Sequence, residues 1–252
     1  MQSRPFALSL ALFAGLTASS AFAQDSMTPE ARDAFRAEVR AYLLEHPEVL
    51  VEAMDVLQAR QEAAAAEKEK TIVADNHEAI FNDGTSWVGG NPEGDVTVVE
   101  FLDYRCGYCR KAWQEVDELV QTDGNIRFVM KEFPILGEQS VISSRFAIAV
   151  QQLHGPEAYA TTHDALISLR ADATPESLER LAGDLGYDWE ELKAKMDAPE
   201  VTAVIEANHA LAQKLEITGT PTFVVDGTMV RGYVPLDGMR QIIASERAKS
   251  EG

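Results

Sequence analysis

The sequence predicts an α/β domain with a helical insertion, preceded by a separate helical segment. Residues 96–102 and 126–133 are rich in apolar and β-branched residues and are predicted strands, with a helical pattern between them. Strand, helix and strand in this order usually build a parallel pair. A helical stretch, about residues 138–215, separates this unit from a predicted hairpin at residues 222–231. Residues 28–82, at the other end, show only helical character.

The first residues, 1–23, form a predicted export signal. Arg4 supplies a positive charge, an apolar stretch follows, and Ala21-Phe22-Ala23 is a small-x-small site ahead of Gln24. This order is typical of a cleaved secretory signal peptide. A membrane anchor is the alternative, but the apolar run is shorter than the ~20 residues that a span requires. We therefore expect a periplasmic protein, secreted across the inner membrane.

The composition excludes several classes of function. The chain has 41 acidic against 22 basic residues, and a nucleic acid partner is not expected because phosphate binding needs clustered Lys and Arg. None of the five histidines lies at metal-ligand spacing with another histidine or with a cysteine. No phosphate loop or dinucleotide fingerprint occurs. The sequence therefore predicts no metal site and no cofactor.

Residues 24–82 are predicted to form a helical stalk. Thr28-Pro29-Glu30 is a helix start signal, and His46-Pro47 interrupts the helix further on. Apolar residues recur at helical spacing along the segment: Phe35, Val39, Tyr42, Leu43, Leu50, Met54 and Leu57. Such a stripe needs a partner surface. We expect residues 28–80 to form a homo-oligomer, with packing against the downstream domain as the alternative.

The breakers Asn82-Asp83-Gly84 and Gly89-Gly90-Asn91-Pro92 mark the boundary of a second domain, residues 83–252. Its first strong strand leads directly to Cys106 and Cys109, which are the two cysteines of the chain. A disulfide across so short a loop constrains the unfolded chain very little. The pair is therefore better explained by chemistry than by stability.

Cys106 follows a predicted strand and precedes a predicted helix. Backbone N–H groups at a helix N-terminus stabilise negative charge, so this thiol should ionise readily. The thiolate attacks a disulfide and forms a mixed disulfide with the substrate. Cys109, one turn later, is placed to attack that intermediate and release the substrate.

Glu100 lies in the apolar strand that precedes the cysteines. A buried carboxylate costs free energy unless it has a partner or a function. We predict that Glu100 relays the proton that Cys109 must lose, and an acid that reaches solvent at a strand edge is the alternative. Lys131, on the adjacent predicted strand, is a candidate charge partner, although an exposed lysine is common on strands.

Two motifs resemble the thioredoxin superfamily. Glu100 lies six residues before Cys106-Gly107-Tyr108-Cys109, and Thr220-Pro221 precedes a predicted strand. The helical insertion resembles the DsbA-like branch of that superfamily. Within the branch, residues 101–109 and 131–137 are similar to the group that contains ScsC and the Com1 proteins. The resemblance covers about residues 84–248, and the leading helices resemble the oligomerising stalks of some ScsC members only in general character.

The resemblance implies a role for each residue of the site. Cys106 would be the attacking thiol, Cys109 the resolving thiol, and Pro221 a cis-proline that faces them. Thr220 would offer backbone hydrogen bonds to the substrate polypeptide, and Gly107 and Tyr108 would also contact it. The implied partners are exported polypeptides with cysteines and a membrane redox partner that reduces or oxidises the cysteine pair.

The dipeptide between the cysteines indicates the direction of the reaction. Gly107-Tyr108 is similar to the pair in the DsbC isomerases, which also have threonine before the cis-proline, whereas DsbA oxidases carry Pro-His. We therefore expect a disulfide isomerase or reductase, with a dithiol oxidase of DsbA type as the alternative. Two rivals belong to other classes: a Cu(I)-binding periplasmic protein, because thiolates suit soft ions, and a purely structural assembly protein.

Overall fold

The computed structural model describes residues 27–250, and the predicted export signal, residues 1–23, lies outside them. The chain divides into two units, Met1–Ala59 and Arg60–Gly252. The units are built differently, because no side chain of residues 27–59 is buried, whereas the second unit contains the sheet and its cores.

The first unit contains helix α1, Pro29–Glu45, and the beginning of helix α2, Glu48–Asp75. The Thr28 hydroxyl accepts a hydrogen bond from Ala31 N at 3.2 Å, so the predicted start signal caps α1. The helix ends before Pro47, which disfavours helix in the residue ahead of it. No residue of α1 is buried, and its apolar side chains are exposed or only partly covered.

The second unit begins inside α2 and continues into helix α3, His77–Phe81. Val73, Ile80 and Phe81 are buried in a cluster with side chains of the sheet. Residues 60–82 of the predicted stalk therefore lie with the second unit, ahead of the boundary predicted at residue 83. The reason is the hydrophobic effect, because burying such side chains stabilises the fold by about 1.5–3 kcal/mol each.

Five strands form one mixed sheet in the described part of the chain, in the order β1-β3-β2-β4-β5. They are β1 Trp87–Gly90, β2 Val96–Leu102, β3 Ile126–Glu132, β4 Thr222–Val225 and β5 Thr228–Arg231. β2 and β3 are parallel, as predicted, and helix α4, Gly107–Asp123, connects them. The other three pairings are antiparallel, and β4 and β5 form the predicted hairpin.

The edge strand β1 was not predicted, because its glycines indicate a break in regular structure. In the structure they permit a close approach between backbones. Gly90 has a φ of +66°, and a Cβ atom there would lie 2.4 Å from the carbonyl oxygen of Ile126. Glycine at position 90 therefore lets β1 pair with β3, because any larger residue there would collide with the β3 backbone.

The region between β3 and β4 is helical, as predicted, and one more helix ends the domain. These helices are α5 Glu138–His154, α6 Pro156–Ile167, α7 Pro175–Leu185, α8 Trp189–Met196, α9 Pro199–Lys214 and α10 Leu236–Ser250. Three of them carry proline in the first turn, where a missing N–H does no harm.

The two faces of the sheet contribute to different cores. Val98 and Leu102 of β2 join the larger core with α4, α10 and most of the inserted helices, whereas Val99 and Phe101 join the smaller core with α3 and α9. Side chains alternate between the faces along each strand. Glu100 consequently lies on the face of the larger core, where the cysteines also lie.

Lys131 is fully buried on β3, and its partner is Asp83 rather than Glu100. Its Nζ donates to Asp83 Oδ2 at 2.7 Å and to Ser86 Oγ at 3.1 Å. The predicted pairing with Glu100 is wrong because Lys131 pairs in register with Phe101, whose side chain points to the opposite face from Glu100. The alternative of an exposed strand lysine is also wrong.

We expect Asp83→Ala to lower the free energy of unfolding by about 3 kcal/mol, because it leaves a buried ammonium without a partner. Lys131→Met should cost less, because Asp83 is partly exposed and methionine has a similar volume. Chemical denaturation at neutral pH measures both variants. Equal losses of unfolding free energy in the two variants would contradict this expected difference.

The same ion pair predicts a loss of stability in acid. Burial raises the pKa of Asp83, but the Lys131 ammonium and the N–H groups of Ser86 and Thr85 lower it to about 2. A carboxyl with a depressed pKa stabilises the fold above its unfolded pKa, about 3.9, and loses that contribution as the pH falls. We expect the wild type to lose more stability between pH 4 and pH 2 than Asp83→Asn, measured by denaturation. Parallel pH profiles would contradict this.

Candidate active site

Cys106 occupies the N-cap position of α4, directly after the loop that follows β2. Its backbone is extended, with φ −73° and ψ 117°, and its N–H donates to the carbonyl of Asp103 at 3.0 Å. The first N–H groups of a helix have no partner within the helix and stabilise an anion near the N-cap. The local geometry therefore favours the thiolate of Cys106.

Asp103 holds this loop in place and was missed in the sequence analysis. Its buried carboxylate accepts hydrogen bonds from the N–H groups of Arg105 at 2.7 Å, Ile135 at 2.8 Å and Leu136 at 3.0 Å. The first bond is an Asx turn, and the other two tie the loop to the segment after β3. The available signal was an aspartate placed directly after an apolar strand.

The two thiols are free and differ in acidity. The pKa of Cys106 falls to about 5, first because its thiolate accepts a hydrogen bond from Cys109. Burial opposes this effect, and a hydrogen bond from the Thr220 side chain and those from the backbone N–H groups of Cys109 and Tyr108 add to it. The same bond, together with burial and the charge of Glu100, raises the pKa of Cys109 far above its ordinary value. One thiol is therefore reactive at neutral pH, and the other stays protonated.

The Thr220–Pro221 peptide bond is cis and lies against the nucleophile. In its protonated form the Cys106 thiol donates to the carbonyl oxygen of Thr220 at 3.1 Å. The loop is held by two bonds, from Thr222 Oγ1 to the carbonyl of Gly219 at 2.8 Å and from the N–H of Gly232 to the carbonyl of Pro221 at 2.9 Å. The fold thus brings residues 106–109 and 219–222 together across more than a hundred residues of sequence.

Glu100 is buried in the middle of the sheet, where it pairs with Met130 of β3 and Phe223 of β4. The alternative of a solvent-reaching acid at a strand edge is therefore wrong. Burial, together with the charges of Cys106 and Glu132, raises the pKa of Glu100 to about 8. Glu100 can exchange a proton near neutral pH, as a relay requires.

Gly107 and Tyr108 lie at the exposed rim of the site. The Tyr108 side chain is 63% exposed and stacks on Tyr233 with 6.4 Å between ring centroids. Tyr233 is fixed in turn, because its hydroxyl donates to Glu115 at 2.6 Å and Lys111 Nζ lies 4.1 Å from its ring centroid. Sequence reasoning missed Tyr233, which is distant in sequence and carries no motif.

Neither a metal cluster nor a membrane span occurs in the part of the chain that the structure describes. No group of three or more His, Cys, Asp and Glu side chains there could hold a metal ion. No helix in residues 27–250 is both long and apolar enough to cross a bilayer. The Cu(I) alternative stays a prediction that these findings do not test.

Comparison with known proteins gives relatives along most of the second unit. A thioredoxin-like oxidoreductase from Silicibacter pomeroyi is 46% identical in structure-based alignment, with a TM-score of 0.64 and coverage of 69% of this chain and 98% of that chain. ScsC of Proteus mirabilis is 26% identical, with a TM-score of 0.65 and coverage of 89% and 98%. Disulfide bond formation protein D of Bacillus subtilis is 26% identical over 62% of this chain and 75% of that protein.

Some curated relatives are much longer proteins. Na(+)/H(+) antiporter NhaA 3 of Salinispora tropica is 28% identical over 66% of this chain, and the chain spans only about a quarter of that protein's length. Two family models also match. The model described as the copper resistance protein ScsC N-terminal domain matches residues 32–64. The DSBA-like thioredoxin domain model matches residues 97–244, more than half of the chain, and the chain belongs to this family.

Proposed function

We propose that this protein is a thiol:disulfide oxidoreductase that acts on cysteine-containing exported polypeptides in the periplasm, mainly as an isomerase or reductase. The observation that carries the proposal is the pairing of an acidic thiol, Cys106, with a buried thiol of raised pKa, Cys109, beside Thr220. Membership of the DSBA-like family supports it, as does the similarity to disulfide bond formation protein D.

The reaction begins when the Cys106 thiolate attacks one sulfur of a substrate disulfide. A bond forms between Cys106 Sγ and that sulfur, and the other substrate sulfur leaves with the electron pair as a thiolate. Ionised Cys106 no longer donates to the carbonyl of Thr220, which becomes available to a backbone N–H of the substrate. Gly107, which has no side chain, and the exposed ring of Tyr108 border the path of approach.

Resolution requires Cys109 to lose its proton. In the mixed disulfide, Cys106 carries no charge, so the hydrogen bond that keeps Cys109 protonated disappears. One cause of the raised pKa of Glu100, the Cys106 charge, disappears at the same time. Glu100 then loses its own proton and accepts the proton of Cys109. The Cys109 thiolate attacks Cys106 Sγ, a Cys106–Cys109 disulfide forms, the mixed disulfide breaks, and the substrate sulfur leaves with the electron pair as a thiolate.

The dipeptide between the cysteines and the threonine before Pro221 support the isomerase or reductase direction. Gly107-Tyr108 and Thr220 are similar to the corresponding residues of the DsbC isomerases. An isomerase or reductase starts each cycle with free thiols, so a membrane redox partner must return Cys106 and Cys109 to that state.

The apolar stripe of the first unit supports a homo-oligomer. Phe35 is 58% exposed, Leu50 53% and Met54 70%, and exposed apolar surface of this extent marks an interaction site. Oligomerisation would place several active sites around one substrate. Residues 28–59 are the part of the predicted stalk that carries this surface, and the ScsC N-terminal domain model matches most of them.

Wild-type protein should restore activity to a scrambled multi-disulfide substrate in glutathione buffer and should also reduce insulin. Cys106→Ser should show only the uncatalysed rate in both assays, because serine cannot form a mixed disulfide. Thr161→Ala, at an exposed site on α6, is the matched control and should remain active. If the wild type only oxidises dithiols, the oxidase alternative is correct, and inactivity in every assay contradicts the proposal.

Cys109→Ala should raise the pKa of Cys106 by at least about one unit, because it removes the largest cause of the depression. Cys109→Ser keeps a hydroxyl donor at the same place and should raise it less. Thiolate absorbance near 240 nm, or the pH dependence of alkylation, measures the midpoint. A midpoint still near pH 5 in Cys109→Ala would show that the helix N-terminus alone ionises Cys106.

Met54→Glu with Phe35→Ser should dissociate the oligomer, because both changes place polar groups on the apolar stripe. Sedimentation velocity of the mature protein at micromolar concentration measures the change. Glu38→Gln, at an exposed polar position of α1, is the control and should leave the assembly intact. A wild-type monomer would refute the stalk proposal and weaken the isomerase reading.

A further inference from the structure

Glu132, the last residue of β3, is buried and receives three hydroxyl hydrogen bonds. Tyr104 Oη donates to its Oε1 at 2.8 Å, Tyr159 Oη donates to the same oxygen at 2.6 Å, and Ser144 Oγ donates to Oε2 at 2.7 Å. Asn208 Nδ2 donates to its main-chain oxygen at 3.0 Å. No role is predicted for this glutamate from the sequence alone.

The donors come from three separate elements. Tyr104 lies in the loop that carries the nucleophile, two residues before Cys106, whereas Ser144 lies on α5 and Tyr159 on α6. One carboxylate therefore connects the nucleophile loop to the helical insertion. Lys131, the adjacent residue, points to the other face of the sheet and bonds Asp83, so the link depends on hydroxyl groups.

The hydrogen-bond pattern assigns the charge state of Glu132. Three hydroxyl donors on one carboxyl group favour the anion, which only accepts. Because Tyr104 donates its proton to Glu132, His163 Nδ1, which lies 3.1 Å from Tyr104 Oη, must donate to that oxygen. His163 is then the neutral Nδ1–H tautomer, consistent with burial lowering its pKa to about 3, and its Nε2 has no partner among the described residues.

Glu100 lies on the neighbouring strand in a contrasting environment. It pairs in register with Met130, so Glu132 lies two residues further along the same face of the sheet. The causes of the raised pKa of Glu100 are burial and the charges of Cys106 and Glu132, with no hydrogen bond among them. The remaining titratable groups around the two glutamates are Asp103, Tyr104, Cys106, Cys109, Tyr159 and His163.

Two carboxyl groups so placed cannot ionise independently. Burial raises the pKa of Glu132 to about 7 despite its three hydroxyl donors. Burial with the charges of Cys106 and Glu132 raises that of Glu100 to about 8. The order of ionisation agrees with the hydrogen bonds, because the group with donors ionises first.

We propose that Glu132 is a positioning residue of the active site: its carboxylate, which accepts three hydroxyl hydrogen bonds, holds Tyr104 and keeps the neighbouring Glu100 protonated. This inference rests on the proposed function, in which Glu100 accepts the proton of Cys109. It adds that the charge on Glu132 sets the pH range in which Glu100 acts. The helical insertion thereby takes part in the chemistry, through Ser144 and Tyr159.

Carbon NMR of the reduced full-length protein, labelled at the glutamate carboxyl carbons, tests the coupling directly. In the wild type, two carboxyl groups should titrate above pH 6, apart from the many surface glutamates. Glu132→Gln should leave one of them, Glu100, with its midpoint lowered by about one pH unit, because the neighbouring charge is gone. Glu100→Gln assigns the other signal. An unchanged Glu100 midpoint in Glu132→Gln would overturn the proposal.

Tyr159→Phe provides a second test that does not depend on the folding of Glu132→Gln. It removes one donor but leaves both carboxyl groups, so the midpoint of the Glu132 signal should rise towards that of Glu100. Thr161→Phe, on the exposed side of α6, is the control and should leave both midpoints unchanged. A Glu132 midpoint unaffected by Tyr159→Phe would overturn the assignment of the charge.

The titrations separate this inference from the proposed function. If the Glu100 midpoint does not shift in Glu132→Gln, while the wild type reduces insulin and unscrambles the substrate normally, the role of Glu132 alone is overturned. A normal shift in a protein that catalyses neither reaction would support the coupling and contradict the proposed function.

Discussion

Negative charge at the carboxyl ends of β2 and β3 is the constraint on which the site depends. Cys106, Glu100 and Glu132 can each become anionic there, and the pKa of Glu100 responds to the other two. Like charges repel strongly where water is scarce. The three groups therefore cannot all ionise near neutral pH, and a thiolate at Cys106 is compatible with a protonated Glu100. When Cys106 enters a mixed disulfide and loses its charge, Glu100 becomes the next group to ionise, at the step where a base is needed.

The fold meets this constraint by giving each anion its own donors. The N-terminus of α4 and the Cys109 thiol stabilise Cys106, and three hydroxyl groups stabilise Glu132. Asp103, a further buried acid, is stabilised by three backbone N–H groups. Lys131, the one buried cation next to these groups in sequence, lies on the opposite face and pairs with Asp83. Selective hydrogen bonding thus leaves Glu100 as the group able to take up a proton.

The sequence predicted the elements that depend on local patterns and failed where long-range register decides. The strand–helix–strand unit, the α1 cap at Thr28 and the β4–β5 hairpin all follow from residue type and spacing. The partner of Lys131 was wrong because a shift of one residue in the β2–β3 register moves a side chain to the other face, and the register cannot be read from either strand alone. Asp103, Glu132 and Tyr233 were missed for a related reason, since their partners come from helices and loops that are distant in sequence. Strand β1 was missed because its glycines fit a break as well as a close backbone approach.

The helical segment predicted as a stalk has apolar side chains in two different environments. Self-association and packing on the downstream domain were alternatives for residues 28–80. In the structure, the part up to residue 59 belongs to the first unit and the rest to the second. Val73, Ile80 and Phe81 are buried with the second unit, so these later apolar side chains already have a partner surface. Phe35, Leu50 and Met54 remain exposed in the first unit. Because the later residues are covered, the proposed contact with a second copy of the chain is confined to residues 28–59, where apolar side chains remain exposed.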